Sequence, residues 1–174
     1  MERIWRNLHT RAVNPSISVA HTQMMRMPRL ECPVVGLHTL VVEDVVEYRI
    51  LVACLCQKIG ETDYKMAASG GEARELLSKS SRPFDLVLLN YNLWDGEGLR
   101  LLSEIRSNPL YVHTPVVMVS ASNDLRTRAR AFEAGAQDYV AKPLNLTKLS
   151  LIFRRAKQAL LEPNMGLAPW SPID

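Results

Sequence analysis

Five short apolar runs, each separated from the next by a helix-length stretch, restrict the fold of this chain more than any other feature. The runs lie in "HTLVVED" (38–44), "YKMAAS" (64–69), "DLVLLN" (85–90), "TPVVMVSA" (114–121) and "AQDYVAKP" (136–143). Runs apolar at consecutive positions predict strands covered on both faces, since a strand with one wet face alternates. The intervening stretches read as helices. "VVEYRILVACLCQKIG" stops at Gly60, a suitable terminator, and "GGEARELLSKS" is short. "GLRLLSEIRSN" carries Leu101, Leu102 and Ile105 at helical spacing, and "NDLRTRARAFEAG" is read with Leu125, Ala129 and Phe132 on one side. "NLTKLSLIFRRAKQALL" places Leu149, Ile152, Phe153, Ala156 and Leu160 along one stripe. Strands alternating with helices imply a parallel sheet between two helical layers. Right-handed crossovers then leave the flavodoxin-like (βα)5 three-layer sandwich, sheet order 2-1-3-4-5, as the expected α/β fold.

This regular pattern spans residues 37–161, one domain of ordinary size within 174 residues. Residues 1–36 hold five arginines against Glu2 and Glu31, are broken by Pro15, Pro28 and Pro33, and show no sustained period. They are expected to form a flexible leader, with a transit peptide or a later start at Met24, Met25 or Met27 as the other readings. Residues 162–174 are expected to form a proline-rich tail, too short for an output domain, which makes a stand-alone protein the expectation. The overall charge of +3 is too small for a nucleic-acid footprint, so no direct DNA contact is expected. No apolar run reaches the roughly 18–20 residues of a membrane span, and a cytoplasmic location is expected. Cys32, Cys54 and Cys56 match no zinc spacing and read as buried, reduced thiols.

Ligands of open parallel sheets bind beyond the carboxyl ends of the strands, where the strand order reverses. Four ends therefore matter: Glu43–Asp44 on the first strand, Asn90 on the third, Ser120 on the fourth and Lys142 on the fifth. Adjacent carboxylates suit a hard divalent cation such as Mg²⁺. A hydroxyl and an ammonium opposite suit an anionic oxygen group. A lone Ser or Lys after a strand carries no such meaning; the convergence of all four does.

These motifs resemble the receiver domain of the response-regulator family over residues 37–161. "VVED" is similar to that family's acidic pair, "SGGEA" to its loop into the second helix, and "DLVLLNYNLWDGEG" to the segment bearing the phosphoryl-accepting aspartate, with Gly98 at a family glycine. "VSA" and "DYVAKP" supply Ser120, the switch aromatic Tyr139 and Lys142–Pro143, spaced 30 residues from Asn90 to Ser120 and 22 from Ser120 to Lys142. The resemblance implies two-component phosphorelay signalling, phosphoryl contacts from Ser120 and Lys142, and a metal-binding backbone carbonyl at Asn92. It also implies a sensor kinase or a downstream effector as protein partner, with homodimerisation as another contact.

Two departures bear on function. Asn90 stands at the phosphoacceptor position, and an amide oxygen cannot supply the carboxylate nucleophile. Trp94 stands where the family has proline, and reads either as an exposed contact surface or as cover for the core. With one ligand charge gone, Mg²⁺ binding is expected to be weak. Lys142 is expected to pair with Asp44. The leading expectation is a non-enzymatic, phosphorylation-independent pseudo-receiver acting through protein contacts. Its interaction face would be basic: Arg126, Arg128 and Arg130 on the fourth helix, Lys148, Arg154, Arg155 and Lys157 on the fifth. The alternatives are a conventional regulator using Asp95 or a deamidated Asn90, and a small-ligand sensor using the altered cleft. Asp85 begins the same strand as Asn90 and is expected at the far end of the sheet.

Overall fold

The computed structural model describes residues 36–161 and Trp170. The expected leader and tail therefore lie outside the described residues, apart from Gly36 and Trp170, as does Cys32. Ten elements alternate along the chain: β1 (Thr39–Val42), α1 (Val46–Lys58), β2 (Tyr64–Ala67), α2 (Gly70–Lys79), β3 (Leu86–Asn90), α3 (Gly98–Ser107), β4 (Val116–Ser120), α4 (Leu125–Glu133), β5 (Asp138–Ala141) and α5 (Leu146–Leu161). The five strands pair in parallel in the order β2-β1-β3-β4-β5, as the apolar runs predict. A two-residue ribbon, Asn92–Leu93 against Gly96–Glu97, interrupts the loop after β3. The sequence showed only a glycine-containing loop there.

Alternate strand residues face opposite ways, so each strand feeds two cores. Leu40, Val42, Val87, Leu89, Val116 and Met118 pack with Ala73, Leu101, Leu102, Ile105 and Ala131 from α2, α3 and α4. Val41, Leu86, Leu88, Val117, Val119 and Val140 pack with Val52, Leu55, Cys56, Leu149, Ile152, Phe153 and Ala156 from α1 and α5. Both faces of β3 are thus dry, which is why "LVLL" carries no polar alternation.

Local chemistry sets the helix ends. Ser69 Oγ accepts from the Glu72 N–H (3.0 Å) and Glu72 Oε2 from the Ala68 N–H (2.7 Å), a reciprocal cap at the start of α2. Asp124 accepts from the N–H groups of Arg126 and Thr127 at the start of α4, and Asn145 Oδ1 from that of Lys148 near the start of α5. Gly60 follows α1 at φ +78°, the left-handed conformation that glycine adopts without strain.

Two expected helix stripes need correction. On α4, Leu125 is 82% exposed and Ala129 is exposed; the inward residue is Ala131, with Phe132 half-buried. Asp124 caps the helix immediately before Leu125, and with Ala131 inward Leu125 is left outside. On α5 the stripe holds through Ala156, but Leu160 is 50% exposed. Among the cysteines, Cys56 is buried as expected, and Cys54, two residues away on α1, faces solvent. Burial, with Glu61 adding to it, pushes the Cys56 thiol up to about 12.

Candidate functional site: the carboxyl ends of the strands

Strand register places the polar residues side by side. Val42 is opposite Leu89, Asn90 opposite Val119, and Ser120 opposite Ala141. Glu43 and Asp44 therefore leave β1 beside Asn90, and Lys142 leaves β5 beside the end of β4. At the centre is the carboxamide of Asn90, a residue only 5% exposed. Its Nδ2 donates to Asp44 Oδ1 (2.8 Å), to Glu43 Oε1 (3.1 Å) and to the backbone carbonyl of Asn92 (2.7 Å). Three acceptors surround one nitrogen, which fixes the amide orientation: turned over, Oδ1 would face three oxygens.

Lys142 Nζ lies 2.6 Å from Glu43 Oε2, with both side chains 6% exposed. This corrects the expected pairing with Asp44. The oxygens of Asp44 are taken by Asn90 Nδ2 and by the Trp94 backbone N–H (3.1 Å), while Glu43 reaches inward to the lysine. The ammonium also stands 4.1 Å from the centre of the Tyr48 ring, and a cation held against an aromatic face gains a further attraction. Arg49 Nη1 bonds the backbone carbonyls of Glu43 (2.7 Å) and Asp44 (2.8 Å). Arg49 and Tyr48, in the first turn of α1, were not singled out from the sequence, and no motif marks them.

Ser120 is fully buried, and its Oγ accepts from the Ser122 N–H (3.1 Å), closing the turn after β4. Tyr139 is 1% exposed; its hydroxyl donates to the Ser122 carbonyl (2.7 Å), and its ring meets Tyr91 edge to face at 6.4 Å. The Lys142–Pro143 peptide is cis.

In the loop after β3, Trp94 is 76% exposed, and its indole N–H donates to the Ala68 carbonyl (3.2 Å). The exposed-surface reading of Trp94 therefore fits, and the core-cover reading does not. The carboxylate of Asp95 accepts from the N–H groups of Gly70 and Gly71 (3.0 Å each) at the amino end of α2. Those two bonds hold its carboxyl below the usual range. Gly98 has a packing reason: a Cβ there would lie 2.2 Å from the Asn90 carbonyl oxygen.

The basic face is smaller than its arginine count suggested. Arg126, Arg130 and Arg154 are exposed. Arg155 instead reaches the fully buried Asp138 on β5 (Nη1 to Oδ2, 3.2 Å), and half-buried Arg128 also acts on that carboxylate. Burial pushes Asp138 up to about 6 despite both arginines. Lys157 pairs with Glu61, and Lys148 Nζ lies 3.4 Å from the Ala141 carbonyl. At the amino ends of the strands, Asp85 Oδ2 accepts from the His38 N–H (2.8 Å), at the other end of β3 from Asn90 as expected. His38 there contacts Asp63 through Nδ1 (2.9 Å) and Ser80 through Nε2 (3.2 Å). This has the connectivity of a hydrolytic triad, but the Ser80 hydroxyl lies closer to the Arg82 carbonyl (2.6 Å) than to His38.

An acidic pair after β1, an amide at the end of β3, and a buried Ser and Lys on β4 and after β5 thus gather at the carboxyl ends of one sheet. The model for the response regulator receiver domain matches residues 39–154. This chain belongs to the response regulator receiver family. Among its relatives, it is 37% identical to the response regulator protein PilR of Pseudomonas aeruginosa over 130 residues, covering 75% of this chain and 28% of PilR. It is 31% identical to chemotaxis protein CheY-3 of Vibrio cholerae over 120 residues, 67% of this chain and 91% of CheY-3. The crystal structure of NtrX from Brucella abortus superposes with a TM-score of 0.66 at 30% identity, covering 75% of this chain and 29% of NtrX. The chain thus spans less than a third of the length of PilR or NtrX. Among the described residues, no helix is long and apolar enough to cross a membrane.

Proposed function

We propose that this receiver signals without an acyl phosphate, as a pseudo-receiver that works through protein contacts. One observation carries the reading: the side chain at the end of β3 is a carboxamide whose nitrogen, not an oxygen, is turned to the acidic pair. The two substitutes for a nucleophile are both committed elsewhere. Asp95 caps α2 through the N–H groups of Gly70 and Gly71. Deamidation of Asn90 requires attack by the Tyr91 backbone nitrogen, and that N–H is held in the sheet by the Val119 carbonyl at 2.9 Å.

Without a phosphoryl group, the equilibrium between conformations is set by what the protein binds. The exposed residues Arg126 and Arg154 suit an acidic protein surface, of a kinase, an effector or a second copy. A cavity of about 100 Å³ lined by Gly70, Arg74, Asp95 and Arg100 among others involves neither Ser120 nor Lys142, so that cavity does not serve the small-ligand reading.

Intact-protein mass spectrometry after incubation with acetyl phosphate and Mg²⁺ tests the proposal, with the Asn90→Asp variant alongside. A phosphoryl adduct in the variant alone is expected. An adduct on the wild type, mapped to Asp95 or to a deamidated Asn90, would return the chain to ordinary phosphorelay chemistry.

A further inference from the structure

Loss of the acceptor carboxylate need not by itself end cation binding, because two acids and a carbonyl remain at the site. The state of those oxygens is therefore a separate matter. Each of the four carboxylate oxygens of the pair already has a donor. Glu43 Oε1 accepts from Asn90 Nδ2 and from the Val45 N–H (3.3 Å), and Oε2 faces Lys142 Nζ. Asp44 Oδ1 accepts from Asn90 Nδ2 and Oδ2 from the Trp94 N–H. The remaining oxygen, the Asn92 carbonyl, accepts from the same Nδ2. Lys142 pairs with the Glu43 carboxylate directly, while Arg49 bonds the backbone carbonyls of the acidic pair.

The geometry points to one inference: the Asn90 carboxamide nitrogen occupies the seat that a divalent cation would need, so this cleft is closed to Mg²⁺ by an internal substitute. Oxygens from Glu43, Asp44 and Asn92 surround Nδ2 at 2.7–3.1 Å, the spacing of N–H···O bonds. Mg²⁺ demands oxygens at about 2.0–2.1 Å. A cation entering here must turn the amide away, break its three hydrogen bonds, and share Glu43 with the buried lysine on the other carboxylate oxygen. The amide does part of the cation's structural work, tying the end of β1 to the β3 loop, but brings only partial positive charge. Lys142 brings a full positive charge to Glu43.

This differs from a site merely weakened by a missing charge, and the two accounts separate experimentally. The full chain is titrated with Mg²⁺ and Mn²⁺ by calorimetry, with free Mn²⁺ counted by electron paramagnetic resonance, for wild type, Asn90→Ala and Asn90→Asp. If the amide fills the seat, its removal opens the site. The alanine variant then binds at least about tenfold tighter than wild type, a difference of about 1.4 kcal/mol, and the aspartate variant tighter still. Wild type should show no saturation, and its melting temperature should be the same in EDTA and in Mg²⁺. An alanine variant that binds no better than wild type would overturn the inference, as would a wild type that saturates as tightly as the aspartate variant. Asn90→Ser provides the same comparison should the alanine variant not fold. This titration contains no phosphodonor, so a wild type that saturates with Mg²⁺ as tightly as the aspartate variant would sink this inference and leave the proposed function, read with acetyl phosphate, standing.

Discussion

Replacing Asn90 by Asp should restore the family's reactive carboxylate and, without cations, cost stability. Nδ2 now donates to Asp44 Oδ1 at 2.8 Å, to Glu43 Oε1 at 3.1 Å and to the Asn92 carbonyl at 2.7 Å. An oxygen in its place turns all three attractions into repulsions. Two carboxylate charges about 4 Å apart repel by about 4 kcal/mol at an effective dielectric constant near 20, and the new group faces two such neighbours. Lost hydrogen bonds to charged acceptors add about 1.5–3 kcal/mol each. Attraction from Lys142 and Arg49, proton uptake and side-chain relaxation offset much of this, leaving a net loss of about 3 kcal/mol. Urea unfolding of both proteins in EDTA at neutral pH reads the difference directly. Mg²⁺ should restore most of the loss in the variant and do nothing for wild type. A variant as stable as wild type in EDTA would refute the reasoning, because the amide would then hold nothing together.

Three further outcomes follow from the same geometry. Asp95→Ala removes two bonds from the amino end of α2 and should cost about 1 kcal/mol in chemical denaturation, with no change in phosphodonor reactivity; an unchanged midpoint would remove its capping role. Gly98→Ala forces a Cβ to within 2.2 Å of the Asn90 carbonyl oxygen, and should cost about 3 kcal/mol in the same assay, whereas a neutral result would mean that the loop has room to move. Asp138 is raised to about 6 by burial, above the roughly 3.9 of an unfolded chain. The native state therefore binds its proton more readily, and stability falls as pH rises from about 4 through about 6. Unfolding free energies measured across that window should lose this slope in Asp138→Asn, and an unaltered slope would assign it to other groups.

Much of the architecture was legible because burial on both faces writes a short apolar run, and each of the five runs became a strand. The helix stripes were less legible. Leu125, Ala129 and Phe132 share a spacing, yet periodicity names a face without saying which way a short capped helix turns it, and Ala131 took the core. The same limit affects the charges: arginines counted as one basic face include Arg155, drawn in to Asp138, and a carboxylate buried on β5 cannot be recognised from "AQDYV" alone. The ribbon at residues 92–97 escaped because two-residue strands have no period.

By itself the sequence determined the α/β order, the positions of the four strand ends and the amide at residue 90, because these depend on residue type and spacing along the chain. Only the tertiary structure decided what that amide does. Which atom of Asn90 faces the acids, which acid Lys142 takes, and that Arg49 sits against the backbone of the pair all depend on strand register and side-chain reach. Asp95 reads along the chain as a spare carboxylate; in three dimensions its oxygens are already bonded to α2. Chemistry at this site is set by which donors arrive at the same few oxygens, and residues 43, 90 and 142 meet there only once β1, β3 and β5 lie in one sheet.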